Sequence, residues 1–334
     1  MSNYYLWKYC TPEQCQDMLL SFQLLNDNAW TDEEKIACLY ALSRHTRQHY
    51  QRIAIPKRNG SLRHLLVPDP LLKQVQKNIL HHILVTLPIS SYATAYHRGA
   101  NVISNAAAHI GQRQILKLDI EDFFGNISFL AVYRLAFPSI YFPLSVRTML
   151  THLCCYQDYL PQGAPTSAAI SNLVMKPFDE YIGHWCSARH ITYTRYCDDM
   201  VFSGDFDHRA VKNKVQNFLQ TMGFNLNQAK TRRVFQHQQQ MVTGLVVNKK
   251  IQAPIQYRKK LRQEIYYCEK YGVVAHLMRM NELNDFSLIQ KDVNSYLLSL
   301  LGKINFVLHA NPNDTYFIKA KSSVQKILSD MEKS

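Results

Sequence analysis

Asp119 closes the apolar run Ile115-Leu116-Lys117-Leu118, and Asp198 with Asp199 sits between two β-prone runs, residues 192–196 and 200–203. If that pair lies at the tip of a hairpin beside the first strand, three carboxylates converge. Like charges in a partly buried site repel, so at least one is forced neutral unless hard divalent cations keep them all ionised. Two magnesium ions would meet that need. They would also clamp the attacking hydroxyl and the leaving pyrophosphate oxygens of an in-line phosphoryl transfer. Taken alone, Asp198-Asp199 reads equally as an ordinary polar turn, since acidic turns are common.

The elements that must hold these acids can be traced along the chain. Residues 115–119 form a buried strand, and 192–203 a hairpin joined through Cys197-Asp198-Asp199. Asp207 can cap a helix carrying Val211, Val215, Phe218, Leu219 and Met222, which Gly223 closes. From Ile115 to Val247 the order is strand, helices, hairpin, helix, strand, a split βαβ arrangement. Upstream, the first fifty residues are helical, with Thr31 and Glu34 as a capping box. Two extended runs, 51–57 and 62–67, flank Asn59-Gly60, a strong hairpin-turn signal. Leu71, Leu72, Val75, Ile79, Leu80 and Ile83 then make one helical face before Pro88. Beyond Tyr257 the pattern is helical and basic.

The bulk properties restrict what this scaffold can meet. A chain of 334 residues suggests two or three lobes. With 47% hydrophobic and 19% charged residues and no long polar tract, a folded protein is expected rather than disorder. The 38 basic residues against 25 acidic leave +13, which favours a polyanionic partner, nucleic acid above all. There is no run of about 20 apolar residues and no apolar signal core at the start, so a cytoplasmic location without a membrane partner is expected. The eight cysteines lack the paired spacing of a structural zinc site and are expected as buried thiols.

Several motifs carry a family resemblance. Tyr196-Cys197-Asp198-Asp199 is similar to the aromatic-X-Asp-Asp signature of reverse transcriptases, and Asp119-Ile120-Glu121-Asp122-Phe123-Phe124 resembles their first aspartate motif. Leu160-Pro161-Gln162-Gly163-Ala164-Pro165-Thr166-Ser167 resembles their Gln-Gly motif. Gly223-Phe224-Asn225-Leu226-Asn227 with Lys230 resembles the motif that follows. Ile55-Pro56-Lys57-Arg58-Asn59-Gly60-Ser61-Leu62-Arg63 resembles the basic fingers hairpin, although a solvated hairpin tip would account for the same charges. Asn105-Ala106-Ala107-Ala108-His109 and Val242-Thr243-Gly244 match two elements of retron enzymes. By themselves they read equally as a core histidine and as a strand with a bend. The sequence departs from the pattern at Ala168, where many relatives have proline, and at Cys197, where alanine or valine is commoner.

The resemblance implies an α+β right-hand polymerase, with fingers over residues 1–113, a ferredoxin-like palm over 114–247 and a basic helical thumb over 248–334. Asp119, Asp198 and Asp199 would hold the two magnesium ions, and Lys230 would donate a proton to pyrophosphate. Lys57, as a point charge, and Arg63, as a planar fork, would meet the triphosphate. Phe124 would lie beneath the sugar, with Ile120, Gln162 and Gly163 shaping the nucleotide pocket. RNA would be bound by Asn105, His109, Val242, Thr243 and Gly244 together with Arg258, Lys259, Lys260 and Arg262. Tyr257, Tyr266, Tyr267 and Tyr271 either stack on RNA or pack within the thumb. Retron enzymes reverse-transcribe their own structured noncoding RNA from an internal guanosine 2′-hydroxyl. They consume deoxynucleoside triphosphates, yield branched RNA-linked DNA (msDNA), and serve antiphage systems with a separate effector protein. Two competing readings are another bacterial reverse transcriptase class, such as one related to group II introns, and a catalytically silent RNA-binding scaffold.

Overall fold

A computed structural model describes residues 7–25, 29–56, 60–281 and 286–332. Strands β1 (Tyr50–Pro56) and β2 (Leu62–Pro68) pair antiparallel from Tyr50 opposite Pro68 to Pro56 opposite Leu62. Gly60 beside their tip takes φ +81°, a conformation that glycine adopts without a steric penalty. Lys57, Arg58 and Asn59 lie outside the described residues. The chain then enters helix Pro70–His82, whose cap Asp69 accepts the Leu72 N–H and whose Leu72, Val75 and Ile79 are fully buried.

Four strands build the central sheet: β3 (Gln114–Asp119), β4 (Thr192–Tyr196), β5 (Asp199–Gly204) and β6 (Arg232–Phe235), in the order β4-β5-β3-β6. β4 and β5 form a hairpin in which Tyr196 opposes Asp199, leaving Cys197 and Asp198 as its turn. Helix Ser167–Ser187 is buried along most of its length and packs on β4. Helix His208–Thr221 starts where Asp207 accepts the Arg209 N–H and buries Val211, Val215 and Leu219. Phe178, Phe202 and Phe224 fill the core around these elements.

Contacts divide the chain into two compact units, residues 1–100 with 116–233, and residues 101–115 with 234–334. Residues 101–115 group with the C-terminal helices in the second unit. The reason is a set of long-range hydrogen bonds. Thr243 Oγ1 donates to the Val102 carbonyl at 2.8 Å, the Gly111 N–H to Val247 at 2.9 Å, and Gln240 Nε2 to Gln112 at 3.0 Å. The second unit also holds the two-residue strands β7 (Met241–Val242) and β8 (Leu245–Val246). Its helices Ile255–Tyr271, Val273–Asn281, Phe286–Ala310 and Thr315–Glu332 enclose a core including Leu261, Ile265, Leu297, Ile304 and Phe317. No helix among the described residues is long and apolar enough to cross a membrane. All eight cysteines are unbridged thiols, six of them buried.

Candidate active site

Beside the pairing of β5 with β3 in the sheet, the β4–β5 turn meets the end of β3 through a backbone bond from the Ile120 N–H to the Asp198 carbonyl at 3.2 Å. These contacts set Asp119, Asp198 and Asp199 on the wall of one cavity of about 910 Å³, within the first unit. Burial, reinforced by the Asp198 charge, pushes Asp199 up to about 6. Asp119 is raised as well, by burial first, with the Asp198 charge adding to it and Lys230 opposing it. The Lys230 ammonium lies 2.9 Å from each Asp119 oxygen, yet it hydrogen-bonds only Oδ2, so the buried Oδ1 has no hydrogen-bond donor. Its bond to Asp119 in turn raises the Lys230 pKa.

These acids fit a divalent cation: they are mutually repelling, partly desolvated, and already attract the nearest ammonium. Among the described residues, however, no three His, Cys, Asp or Glu side chains are closed into a metal cage. Lys230, expected beside pyrophosphate, pairs here with the Asp119 carboxylate.

The same cavity gathers Arg63, Ile120, Phe124 and Gln162. Arg63 reaches it from the exposed start of β2, and the half-buried Phe124 ring stands 5.3 Å from that of Phe123. The Gln162 carbonyl accepts the Leu66 N–H at 2.8 Å, so the Gln-Gly loop is laced to β2. Gly163, at φ +126°, is packed so tightly that a Cβ would stand 2.7 Å from the Leu66 carbonyl oxygen. Gly163 is not among the residues lining the cavity; it lets the loop backbone approach β2 closely.

Other lining residues were not foreseen as part of the site, among them Arg52, Tyr96, Asp122 and Tyr159. Asp122 lay inside the quoted aspartate motif, and its acidic side chain was the available signal. Tyr96 gave none. It is presented by an irregular segment at φ +61° and stands 6.4 Å from the Tyr196 ring.

The proposed RNA-binding residues separate into buried and exposed groups in the second unit. Asn105, His109 and Val242, expected among the RNA-binding residues, are fully buried. Helix Val102–Ala107 packs on the β7–β8 hairpin, where Thr243 is half-buried and Gly244 makes the turn at φ +83°. Arg258 is turned inward, its Nε donating to the Ala253 carbonyl at 3.1 Å. Arg262 stacks over Tyr316 and Phe317 but is exposed, as are Lys259 and Lys260. Tyr257 packs edge-on against Phe306, and Tyr267 lies 5.6 Å from the buried His276. Tyr266 and Tyr271 are exposed, with the Lys270 ammonium 5.3 Å and 5.2 Å from their rings.

Residues 55–253 match the family described as reverse transcriptase (RNA-dependent DNA polymerase). The retron Mx65 reverse transcriptase of Myxococcus xanthus is 31% identical over 76% of this chain and 67% of its own length. The retron Ec86 reverse transcriptase of Escherichia coli is 31% identical over 65% of this chain and 69% of its own. A solved telomerase from Candida albicans, in complex with a fragment of telomeric RNA, is similar at a TM-score of 0.45 and 14% identity. That match covers 84% of this chain and 60% of the telomerase chain, so this chain spans about three-fifths of its length. By the family match and the retron relatives, this chain belongs to the reverse transcriptases of the retron type, RNA-directed DNA polymerases with an α+β right-hand fold.

Proposed function

We propose that the chain reverse-transcribes a cognate structured noncoding RNA, and that the cavity around Asp119, Asp198 and Asp199 is where nucleotides are joined. The observation that carries this reading is the gathering of three acids, one of them raised to about 6, on a wall shared with Arg63, Phe124 and Gln162. A catalytically silent scaffold has no use for desolvated acids that repel one another. Asp119, Asp198 and Asp199 would hold two magnesium ions. When bound, such ions supply Lewis-acid activation of the attacking hydroxyl and neutralise charge on the leaving pyrophosphate.

The protein's own groups do the rest. Lys57 and Arg63 hold the triphosphate, Phe124 takes the sugar, and the Gln162-Gly163 backbone sets the template-side wall. Lys230, released from Asp119, is the proton donor to pyrophosphate. In this reading fingers, palm and thumb follow one another along the chain. Synthesis starts from an internal guanosine 2′-hydroxyl and yields branched msDNA, in an antiphage system whose effector is a separate protein. Asp198→Asn, which removes a charge and keeps the side-chain size, is expected to abolish primer extension while leaving RNA binding largely intact. Extension by the variant at the wild-type rate would falsify the assignment. Sequencing the nucleic acid that copurifies with the protein tests the msDNA reading: a branched RNA–DNA species is expected, and RNA alone would count against it.

A further inference from the structure

Behind the catalytic turn lies an ion pair that the reaction itself does not use. Arg195 on β4 and Asp179 on helix Ser167–Ser187 are both fully buried. Arg195 Nε donates to Asp179 Oδ1 at 2.8 Å and Nη2 to Oδ2 at 2.6 Å, a two-pronged pairing. Nη2 also reaches Asn172 Oδ1 at 3.3 Å, and the Tyr193 hydroxyl donates to Asp179 Oδ1 at 2.8 Å. The remaining prong, Nη1, donates to the Cys197 carbonyl at 2.9 Å. Stability alone gives little reason for such a pair, because apolar residues of similar volume often serve as well. Direction does. A guanidinium is a planar fork, so two bonds to Asp179 dictate where Nη1 points.

Where it points is the turn that carries the acids. Cys197 is held at φ +62°, and the next carbonyl, that of Asp198, is held from the other side by the Ile120 N–H at 3.2 Å. Two consecutive carbonyls are thus gripped, one by the buried guanidinium and one by the strand that bears Asp119. Helix Ser167–Ser187 ties this grip to the rest of the site. Ser167 Oγ donates to the Pro161 carbonyl at 2.6 Å beside the Gln-Gly loop, and Asn172 Nδ2 donates to Ala95 at 2.8 Å beside Tyr96. We propose that Arg195, Asp179 and Asn172 are positioning residues that set the pose of Asp198 and Asp199 through the Cys197 carbonyl. This inference rests on the reading of those two acids as the reactive ones.

The test compares wild type, Arg195→Lys, and a triple variant with Asp179→Leu, Arg195→Met and Tyr193→Phe, each checked by thermal melting. Asp198→Asn runs in parallel. Arg195→Lys keeps a charge opposite Asp179 and loses the fork; the triple variant replaces the whole buried pair with apolar groups. Both are expected to fold and to lose about tenfold to a hundredfold in kcat, as small displacements of reacting groups do. They should also need more magnesium for half-maximal synthesis, with KM for primer–template unchanged. A purely structural pair would instead give a folded triple variant with the wild-type kcat and magnesium requirement, and that result overturns the proposal. So does loss of folding in both variants, which would make the pair a folding element only. Wild-type synthesis by Asp198→Asn is a separate failure, because it removes the assignment of the acids themselves.

Discussion

On the cavity wall Phe124 offers a flat, half-buried ring, and in the proposed reading a deoxyribose lies beside it where a ribose 2′-hydroxyl would collide. Phe124→Ala is therefore expected to raise ribonucleotide incorporation several-fold relative to deoxyribonucleotide. Single-nucleotide competition measures this, and unchanged discrimination in an active variant would take Phe124 out of that role. A different residue, His109, reports on burial alone. Burial pushes its pKa from 6.5 to about 4, so the unfolded chain binds a proton that the folded chain refuses. Its contribution to stability is intact above about pH 6.5 and is lost as pH falls through about 4. His109→Leu should accordingly flatten the fall in melting temperature over that window; an identical fall in both proteins would refute it. The sequence made the three acids readable because their residue types and order carry the chemistry directly. Tyr96 was not readable, because its place depends on the Tyr92 and Arg195 backbones meeting across about a hundred residues.

Elements governed by local rules were the easiest to foresee. Thr31 and Glu34 make both bonds of their capping box, Asp207 caps its helix, and β1 and β2 pair across the Asn59-Gly60 signal. Pairings between distant elements were less accessible. Nothing local says that β3 lies between β5 and β6, or that helix Val102–Ala107 packs on a hairpin more than 130 residues later. The contact between β2 and the Gln-Gly loop is of this second kind, and it gives a test. Gly163 combines a left-handed φ of +126° with a hypothetical Cβ only 2.7 Å from the Leu66 carbonyl oxygen. Gly163→Ala should push the loop off β2, break the bond from the Leu66 N–H to Gln162, and cost about 1–3 kcal/mol of stability. Denaturant melts should register that loss, alongside a KM that rises more for deoxynucleotide than for primer–template. A variant with wild-type stability and KM would mean that the loop can move back freely.

At the scale of the whole molecule the chain carries +13, and in the proposed reading nucleotides are joined in the first compact unit while RNA is chosen by residues of the second. The charge was legible from composition, whereas the orientation of each tyrosine of helix Ile255–Tyr271 was legible only in part. Along helix Ile255–Tyr271 the buried positions Leu261, Glu264, Ile265 and Cys268 define an inner face, and Tyr266 and Tyr271 fall outside it. The active cavity must accept whatever template sequence passes through it, so selection among RNAs needs a surface elsewhere. Exposed Lys259, Lys260 and Arg262 can add salt-sensitive affinity through phosphates, but phosphate contacts carry no sequence information directly. Selectivity then falls to shape and to unpaired bases, which stack on exposed aromatic or guanidinium planes. Tyr266 and Tyr271, with Lys270 over both rings, are such planes. Lys259→Glu with Lys260→Glu should weaken binding of cognate and unrelated RNA alike and lower its salt dependence. Tyr266→Ala with Tyr271→Ala should instead narrow the gap between the two RNAs. Exchanging residues 242–271 for the matching segment of another retron reverse transcriptase should carry RNA preference with it, in binding and in RNA-primed synthesis on both RNAs. A folded chimera that keeps its original preference would place recognition outside this segment.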